Sequence, residues 1–250
     1  MKRIALAVVL LMSIQLVAQS KPTSAASKPK VRAITGFVRL DQGTYEKQIA
    51  DALIVLRMAK SEFETAGYQV ETLRLTTQPL GELVAGMSNE QALTFLARLD
   101  QLSVKEDFIP NVGPAMIHDT DDPATMHLLE LVLSTLPNIQ ASTIIADEGG
   151  IHWKTIHRTS ELVKYVAEHS PRSQGTFNFT ATAMLKPLSP FFPGSYHTGP
   201  GRQFAIGFEG ANVVADVFTK DRGNAEAATA DLTAAPVSYT HLTLPTKRIV

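Results

Sequence analysis

The fold class is decided by residues 31–76, which read VRAITGFVRLDQGTYEKQIADALIVLRMAKSEFETAGYQVETLRLT. Arg32–Leu40 and Gln69–Thr76 have the apolar content of β-strands. Between them, Glu46–Ala66 places apolar residues at helical spacing, and Gly67 supplies a stop. The apolar face of this helix consists of Ile49, Leu53, Leu56, Ala59 and Phe63. A strand, a helix and another strand require a crossover connection, which predicts parallel pairing.

The same alternation continues along the chain. Ser88 and Gln91 form a capping box that begins a helix. Asp122 is the predicted N-cap of a further helix, with Pro123 in its first turn. Other strands are expected over residues 139–146, 176–185 and 203–208, and other helices over 151–169 and 210–235, the last with a break near Gly223. Strands that alternate with helices predict the α/β class.

The composition excludes only a few classes of function. The chain has 250 residues, of which 44% are hydrophobic and 19% are charged, and this suits one large or two small domains. Its formal net charge is −1, with no basic stripe on a predicted helix, so we expect no nucleic-acid partner. It has no cysteine, which excludes disulfides, thiolate metal sites and cysteine nucleophiles within these residues.

The first 20 residues have the build of a secretory signal peptide. Lys2 and Arg3 precede the apolar segment Ile4–Val17, and small residues follow at cleavage spacing. We therefore expect a secreted or periplasmic protein with no membrane contact after the leader is cleaved. The alternative is an uncleaved N-terminus that anchors the chain in the inner membrane. Residues 21–30 are rich in Ser, Ala, Pro and Lys and predict a disordered linker.

The C-terminal residues break the pattern. Val237–Thr246 follows an Ala-rich helix without a turn signal, and it resembles a translated reading frame of a transposon-end adapter from sequencing libraries. A natural β-like tail is the alternative. The first interpretation predicts that residues 237–250 are not native and that residues 31–236 form an incomplete domain.

The strongest candidate site is the loop and strand Pro190–Val214, where Gly and Pro surround ionisable side chains. We predict His197 as a general acid or base and Glu209 as a second catalytic group. Arg202 would clamp a carboxylate or phosphate, and Tyr196 would contact the substrate. These residues meet in one pocket only if the loop folds back. The alternative is a structural loop whose glycines permit close packing.

Two acidic segments lie at predicted junctions between strands and helices. His118–Asp122 could bind a cation, but helix capping explains its acids more simply. Asp147–Gly150 lies at the carboxyl end of a strand, where Glu148 is a candidate substrate-binding residue and a capped turn is an equal alternative. His152 and His157 are five residues apart, and a helical zinc pair needs four, so no metal site is predicted.

The last candidates are the polar donors Arg172, Gln174 and Asn178, which surround the start of a predicted strand. They suit the binding of an acyl or amide oxygen, and turn formation is an equally good interpretation. No nucleophile elbow, Walker loop or dinucleotide-binding motif follows a predicted strand. No cofactor can be named from the sequence.

Five segments resemble one known family. These are Arg32–Phe37, the end of the first helix through Tyr68, Phe108–Ala115, Ser173–Phe179 and Phe191–Thr198. Together they resemble the DUF711 (UPF0210) family, which has no assigned reaction, over residues 31 to about 235. The resemblance implies the N-terminal half of a member and a truncated α/β barrel of roughly ten strands, similar in fold to the pyruvate formate-lyase-like glycyl radical enzymes. Their radical chemistry does not carry over, because this chain has no cysteine.

Two functions remain from the sequence. The first is an enzyme that acts on a small anionic molecule in an α/β barrel pocket. The second is a secreted protein that binds such a molecule without turnover. An inactive fragment is a third outcome for this chain, and its oligomeric state cannot be inferred. Likeness in fold alone is a weak argument for a reaction.

Overall fold

The computed structural model describes residues 29–240, which are organised around one seven-stranded sheet. The predicted leader, residues 21–28 of the predicted linker and residues 241–250 of the predicted tail lie outside the described residues. The strands are β1 (Val31–Val38), β2 (Leu73–Thr76), β3 (Ile109–Pro114), β4 (Gln140–Asp147), β5 (Gly150–Ile151), β6 (Phe179–Ala183) and β7 (Arg202–Phe208). The predicted α/β class is confirmed.

Most of the sheet is parallel, as the strand–helix–strand order predicts. The strands β1, β2, β3, β4 and β6 are parallel neighbours in chain order. Two strands run the other way: β5 forms a short hairpin with β4, and β7 pairs with β1. The antiparallel direction of β7 matters for the site, because it places Arg202 beside Val38 and Phe208 beside Val31.

Seven α-helices connect or follow the strands in the described chain. They are α1 (Tyr45–Thr65), α2 (Leu80–Leu83), α3 (Asn89–Glu106), α4 (Ala124–Thr135), α5 (Trp153–His169), α6 (Ala211–Lys220) and α7 (Ala225–Thr240). The interruption between α6 and α7 contains Gly223, near the predicted break. None of these helices is both long and apolar enough to cross a bilayer.

The hydrophobic core lies between one face of the sheet and the helices. All five residues predicted for the apolar face of α1 are buried. They join Ile34 of β1, Leu75 of β2, Val112 of β3 and Leu129 of α4 in one contiguous cluster. Burial of these side chains is the main force that holds the helices on the sheet.

The helix starts show how far local sequence specifies structure. The capping box at Ser88 forms as predicted, with Gln91 bonded reciprocally. The start of α4 differs by one residue: Pro123 occupies the N-cap position, and the Asp122 side chain accepts a hydrogen bond of 2.9 Å from the Ala124 N–H. The helix therefore begins one residue later than predicted, and Asp122 binds its first turn from the position before the N-cap.

The predicted strand 176–185 is wrong at its start, because residues up to Asn178 belong to a 3₁₀ helix over Pro171–Asn178. Packing explains the difference. Gly175 lies so close to α4 that a Cβ atom there would be 2.1 Å from the carbonyl oxygen of Leu133. The Gly175 N–H also donates to the Ser170 hydroxyl at 3.0 Å. These contacts keep the chain coiled until β6 begins.

A segment that we call the strap, residues 188–197, lies across the other face of the sheet. Val112 of β3 faces the helices, so its neighbour Asn111 faces the strap. The Asn111 Nδ2 donates to the Ser195 carbonyl oxygen at 2.7 Å. The His197 backbone N–H donates to the Thr77 carbonyl at 2.8 Å. The Arg74 guanidinium lies 4.5 Å from the centre of the Phe192 ring. The strap is thus fixed to β2 and β3.

Candidate functional site

The carboxyl ends of the parallel strands meet at one edge of the sheet, which is where ligands bind in open α/β folds. We call it the carboxyl edge. Three features occur along it: a cavity beside the ends of β1 and β2, the end of the strap at His197, and a cluster of ionisable side chains beyond β3 and β4.

The cavity has a volume of about 680 Å³, which is within the range for small-molecule sites. Its walls come from Val38–Gln42, which begins at the last residue of β1, and from the segment after β2 that includes Gln78. Pro200, Gly201 and Arg202 close the third side. Gly201 has a φ of 98°, a backbone conformation that other residues rarely adopt, so glycine is needed for this shape.

The amide side chains of the cavity are engaged in holding its walls together. Gln78 accepts from the Leu40 N–H at 3.0 Å and donates to the Leu40 carbonyl at 2.7 Å. The Gln42 Nε2 donates to the carbonyls of Leu83 and Ala85, both at 3.0 Å. These bonds hold the walls of the cavity in place. Because they occupy the Gln42 and Gln78 side chains, the two arginines are the main hydrogen-bond donors that remain for a ligand.

The two arginines differ in how firmly they are paired. Arg39 has a short contact of 2.6 Å with Glu82. Arg202 is paired with Asp51 only at a longer distance of 3.7 Å, and about half of its side chain is exposed. Arg202 is therefore the cation with more hydrogen-bonding capacity left for a ligand.

His197 is fully buried at the end of the strap. Neither ring nitrogen has a hydrogen-bond partner of good geometry, and only the Gly201 backbone interacts weakly with the ring. Burial lowers the pKa of His197 below the usual value of the residue; the backbone of Gly201 partly opposes this shift, and the charge of Arg39 adds to it. The imidazole is therefore held neutral and out of contact with solvent.

Tyr196 and Glu148 also lie on the carboxyl-edge side of the molecule. Tyr196 is buried, and burial raises the pKa of its phenol. Its carbonyl accepts from the Leu188 N–H at 2.9 Å, so its backbone holds the two ends of the strap together. Glu148 is exposed and forms an ion pair with Lys186.

The cluster beyond β3 and β4 consists of His118, Asp147 and His152. One Asp147 oxygen lies 3.3 Å from His118 Nδ1, and the other lies 3.3 Å from His152 Nε2. One potential metal-binding atom from each of the three residues falls within 4.8 Å of the others. No motif spacing in the sequence joins these three residues, and the spacing test above paired His152 with His157. In the structure His152 is paired with Asp147, the last residue of β4.

Hydrogen bonds set the charges in this cluster. The Ile144 carbonyl, 3.0 Å from Nδ1, and the Asp147 carboxylate raise the pKa of His152 against the opposing effect of burial. The Gly149 N–H and His152 hold the pKa of Asp147 below its usual value, although desolvation opposes this. At neutral pH the cluster therefore contains a firmly ionised carboxylate between two imidazoles.

The acids of His118–Asp122 have structural roles, but only Asp122 binds the first turn of α4, as the capping interpretation predicted. Asp119 accepts from the backbone N–H groups of Lys154 and Thr155 at the start of α5. Asp121 accepts from the N–H of Ile117 at 2.7 Å and from the next N–H along the chain. These bonds also position the cluster, because they join the loop after β3 to the start of α5.

The remaining predicted residues lie at the opposite, amino edge. Glu209 follows the carboxyl end of β7, but β7 is antiparallel, so Glu209 lies beside Lys30 and 3.4 Å from Arg32. It therefore does not meet His197 or Arg202. Asn178 Nδ2 donates to the Pro137 carbonyl at 2.8 Å, just before β4. Arg172 and Gln174 are exposed in the same 3₁₀ helix.

The fold and these features define a mixed α/β protein with a cavity of about 680 Å³ at the carboxyl edge of a mainly parallel sheet. The profile of the family described as "Uncharacterised ACR (DUF711)" matches residues 25–241. The chain belongs to the DUF711 family, as the five sequence segments indicated, and the family description assigns no reaction. A search among curated proteins found no match.

Proposed function

We propose that the protein binds a small anionic molecule in the cavity at the carboxyl edge. The observation that carries this proposal is the position of Arg202 on the wall of a cavity of about 680 Å³, with only a 3.7 Å contact to Asp51. Arginine presents a planar set of donors that suits carboxylates and phosphates. Arg39 lies on another wall of the same cavity and adds positive charge.

Acidic groups limit the charge that this cavity accepts. Asp41 and Glu82 also line it, and Glu82 partly neutralises Arg39. A ligand with one or two negative charges and further polar groups fits this balance better than a polyanion. We therefore expect a small carboxylic acid or a monophosphate ester.

The test begins with a thermal-shift screen of small carboxylic acids and phosphate esters on the full chain, followed by calorimetry of any ligand that stabilises it. Arg202→Ala should weaken binding by at least about tenfold, since it removes charge-assisted hydrogen bonds. Arg172→Ala is the matched control, because Arg172 is exposed at the other edge. Equal affinities in the two variants would refute the assignment of this cavity.

Turnover of the bound molecule is our second proposal. It is favoured by the His118, Asp147 and His152 cluster at the same edge, which offers groups for proton transfer. A catalytic role for His197 would require the strap to open, because the ring is buried. Stabilisation by a ligand without any product would instead favour a binding protein.

We also propose that the sheet is one wall of the roughly ten-stranded barrel that the family resemblance implies. The support is the row of five parallel strands followed by the antiparallel β7. Within residues 29–240 no strand pairs with the outer edge of β6 or of β7. Open edges of this kind promote association. A soluble monomer of residues 31–235 that unfolds cooperatively would contradict the proposal of an incomplete barrel.

Export from the cytoplasm remains a proposal that rests on the leader-like composition of residues 1–20. Expression in a Gram-negative host and N-terminal sequencing of the purified protein would test it. We expect the mature chain to begin near Lys21. A chain that retains Met1 in the membrane fraction would support the anchored alternative.

A further inference from the structure

We propose that His118, Asp147 and His152 form a binding site for a divalent transition-metal ion of the zinc type. Two imidazole nitrogens and a carboxylate are a common ligand set for such ions. Each residue comes from the carboxyl edge: His118 follows β3, Asp147 ends β4, and His152 immediately precedes α5. None of the three residues lines the anion-binding cavity.

The distances between the candidate ligand atoms are close to those around a bound zinc ion. Two tetrahedral bonds of about 2.05 Å place their ligand atoms about 3.3 Å apart. Asp147 Oδ2 is 3.3 Å from His118 Nδ1, and Asp147 Oδ1 is 3.3 Å from His152 Nε2. All three ligand atoms lie within 4.8 Å of one another, so small side-chain rotations bring the histidines into tetrahedral spacing.

The surroundings of His152 provide an independent argument. Its Nδ1 lies 3.0 Å from the Ile144 carbonyl oxygen, which can only accept a hydrogen bond. A neutral ring therefore carries its proton on Nδ1 and directs the lone pair of Nε2 toward Asp147. The Nε2 lone pair of His152 and the carboxylate of Asp147 then face each other, and neither can donate a hydrogen bond. His152 is only 8% exposed, so this contact requires a cation between the two groups or a second proton on the ring. A backbone carbonyl that orients the other nitrogen is a usual feature of metal-binding histidines.

The cluster is also held in place and open to solvent. The loop after β3 is tied to the start of α5 by Asp119, and the Gly149 N–H donates to Asp147 Oδ1 at 2.7 Å. The His118 side chain is 58% exposed, so an ion can enter from that side. Three protein ligands leave at least one coordination position for water or a substrate, as in catalytic zinc sites.

The test uses the full chain without a histidine tag, stripped with a chelator and then dialysed. Zn²⁺ is titrated by calorimetry, and Co²⁺ is titrated by visible absorption, which reports coordination geometry directly. We expect one Zn²⁺ per chain and intense absorption bands from tetrahedral Co²⁺. Addition of Zn²⁺ should displace the Co²⁺ and abolish the bands.

Three variants and one control assign the site. His118→Ala, Asp147→Asn and His152→Ala should each weaken Zn²⁺ binding by about 100-fold or more, since even outer partners of a metal ligand contribute 10- to 100-fold. The control is His157→Ala, an exposed histidine on α5 that pairs with Glu161, and it should bind like the wild type. His118 and Asp147 are accessible enough for their variants to fold if the His152 variant does not.

Two results would overturn the proposal. One is the absence of stoichiometric Zn²⁺ binding to the folded chain, which would mean that a second proton on His152 holds the cluster together. The other is a result in which His118→Ala and Asp147→Asn bind Zn²⁺ as tightly as His157→Ala does. The ion would then bind elsewhere on the chain.

Discussion

The cluster beyond β3 and β4 contains a buried histidine, His152, and the strap contains another, His197. The polar surroundings of the two rings are opposite. His152 has an acceptor within 3.3 Å of each ring nitrogen, while neither ring nitrogen of His197 has a partner of good geometry. The pKa of His152 is raised, chiefly by the Ile144 carbonyl, and that of His197 is lowered, chiefly by burial. The predicted catalytic residue, His197, is therefore the buried histidine whose ring nitrogens are the less well satisfied.

Replacement of each histidine by leucine should give opposite results, and the difference between the two variants, up to about 3 kcal/mol, is the largest effect on stability that we expect. His152→Leu leaves the Ile144 carbonyl without its partner and should lower the free energy of unfolding by about 2 kcal/mol. His197→Leu removes two unpaired nitrogens and should leave stability unchanged or raise it by up to about 1 kcal/mol. Urea denaturation in the presence of a chelator measures both. A loss above about 1 kcal/mol in His197→Leu would show that the ring has a partner after all.

Removal of the strap's main anchor should have the next largest effect. Asn111 donates to the Ser195 carbonyl and accepts from the Gly113 N–H at 3.1 Å, and all of these groups are buried. Asn111→Ala should lower the free energy of unfolding by about 2 kcal/mol and should speed proteolysis within residues 188–197. Ser142→Ala is the control, since its contact with the Gly194 carbonyl is 3.4 Å. Similar losses in both variants would mean that Asn111 is not a specific anchor.

The smallest expected effect is the dependence of stability on pH that comes from His197. The unfolded chain takes up a proton on this residue near pH 6.5, whereas the folded ring, whose pKa is lowered, remains neutral at that pH. Stability is therefore full above about pH 6.5 and falls as the pH decreases, by at most about 1.4 kcal/mol per pH unit. The groups that face the ring are Arg39 and the backbone of Gly201.

Denaturation of the wild type and His197→Leu between pH 5 and 7.5 isolates this contribution, because other titrating groups cancel in the difference. The stability of His197→Leu relative to the wild type should increase as the pH decreases. A difference that is constant over this range would show that the folded and unfolded pKa values of His197 are equal.

Features encoded within a few residues could be predicted well. The apolar face from Ile49 to Phe63 and the capping box at Ser88 depend only on spacing within one helix, and both are confirmed. The start of β6 could not be predicted, because Gly175 is held in a 3₁₀ helix by its contact with Leu133 of α4. That contact joins segments that are distant in sequence.

The candidate site shows the same division. Arg202 was predicted as an anion clamp and does line the cavity, although its role is still a prediction. His118, Asp147 and His152 were not grouped, because His118 is distant in sequence from the other two and their spacing matches no metal-binding motif. A signal was available for two of them, since His118 and Asp147 lie at the carboxyl ends of neighbouring parallel strands.

The alternation of strands and helices and the membership in the DUF711 family could be inferred from the chain alone, because periodicity, caps and local motifs are encoded over short stretches. Which side chains meet depends on the tertiary structure. The antiparallel pairing of β7 with β1 puts Arg202 at the carboxyl edge and Glu209 at the amino edge, and the strap buries His197. Strand direction and burial depend on hydrogen bonds and packing between distant segments, which no local pattern specifies.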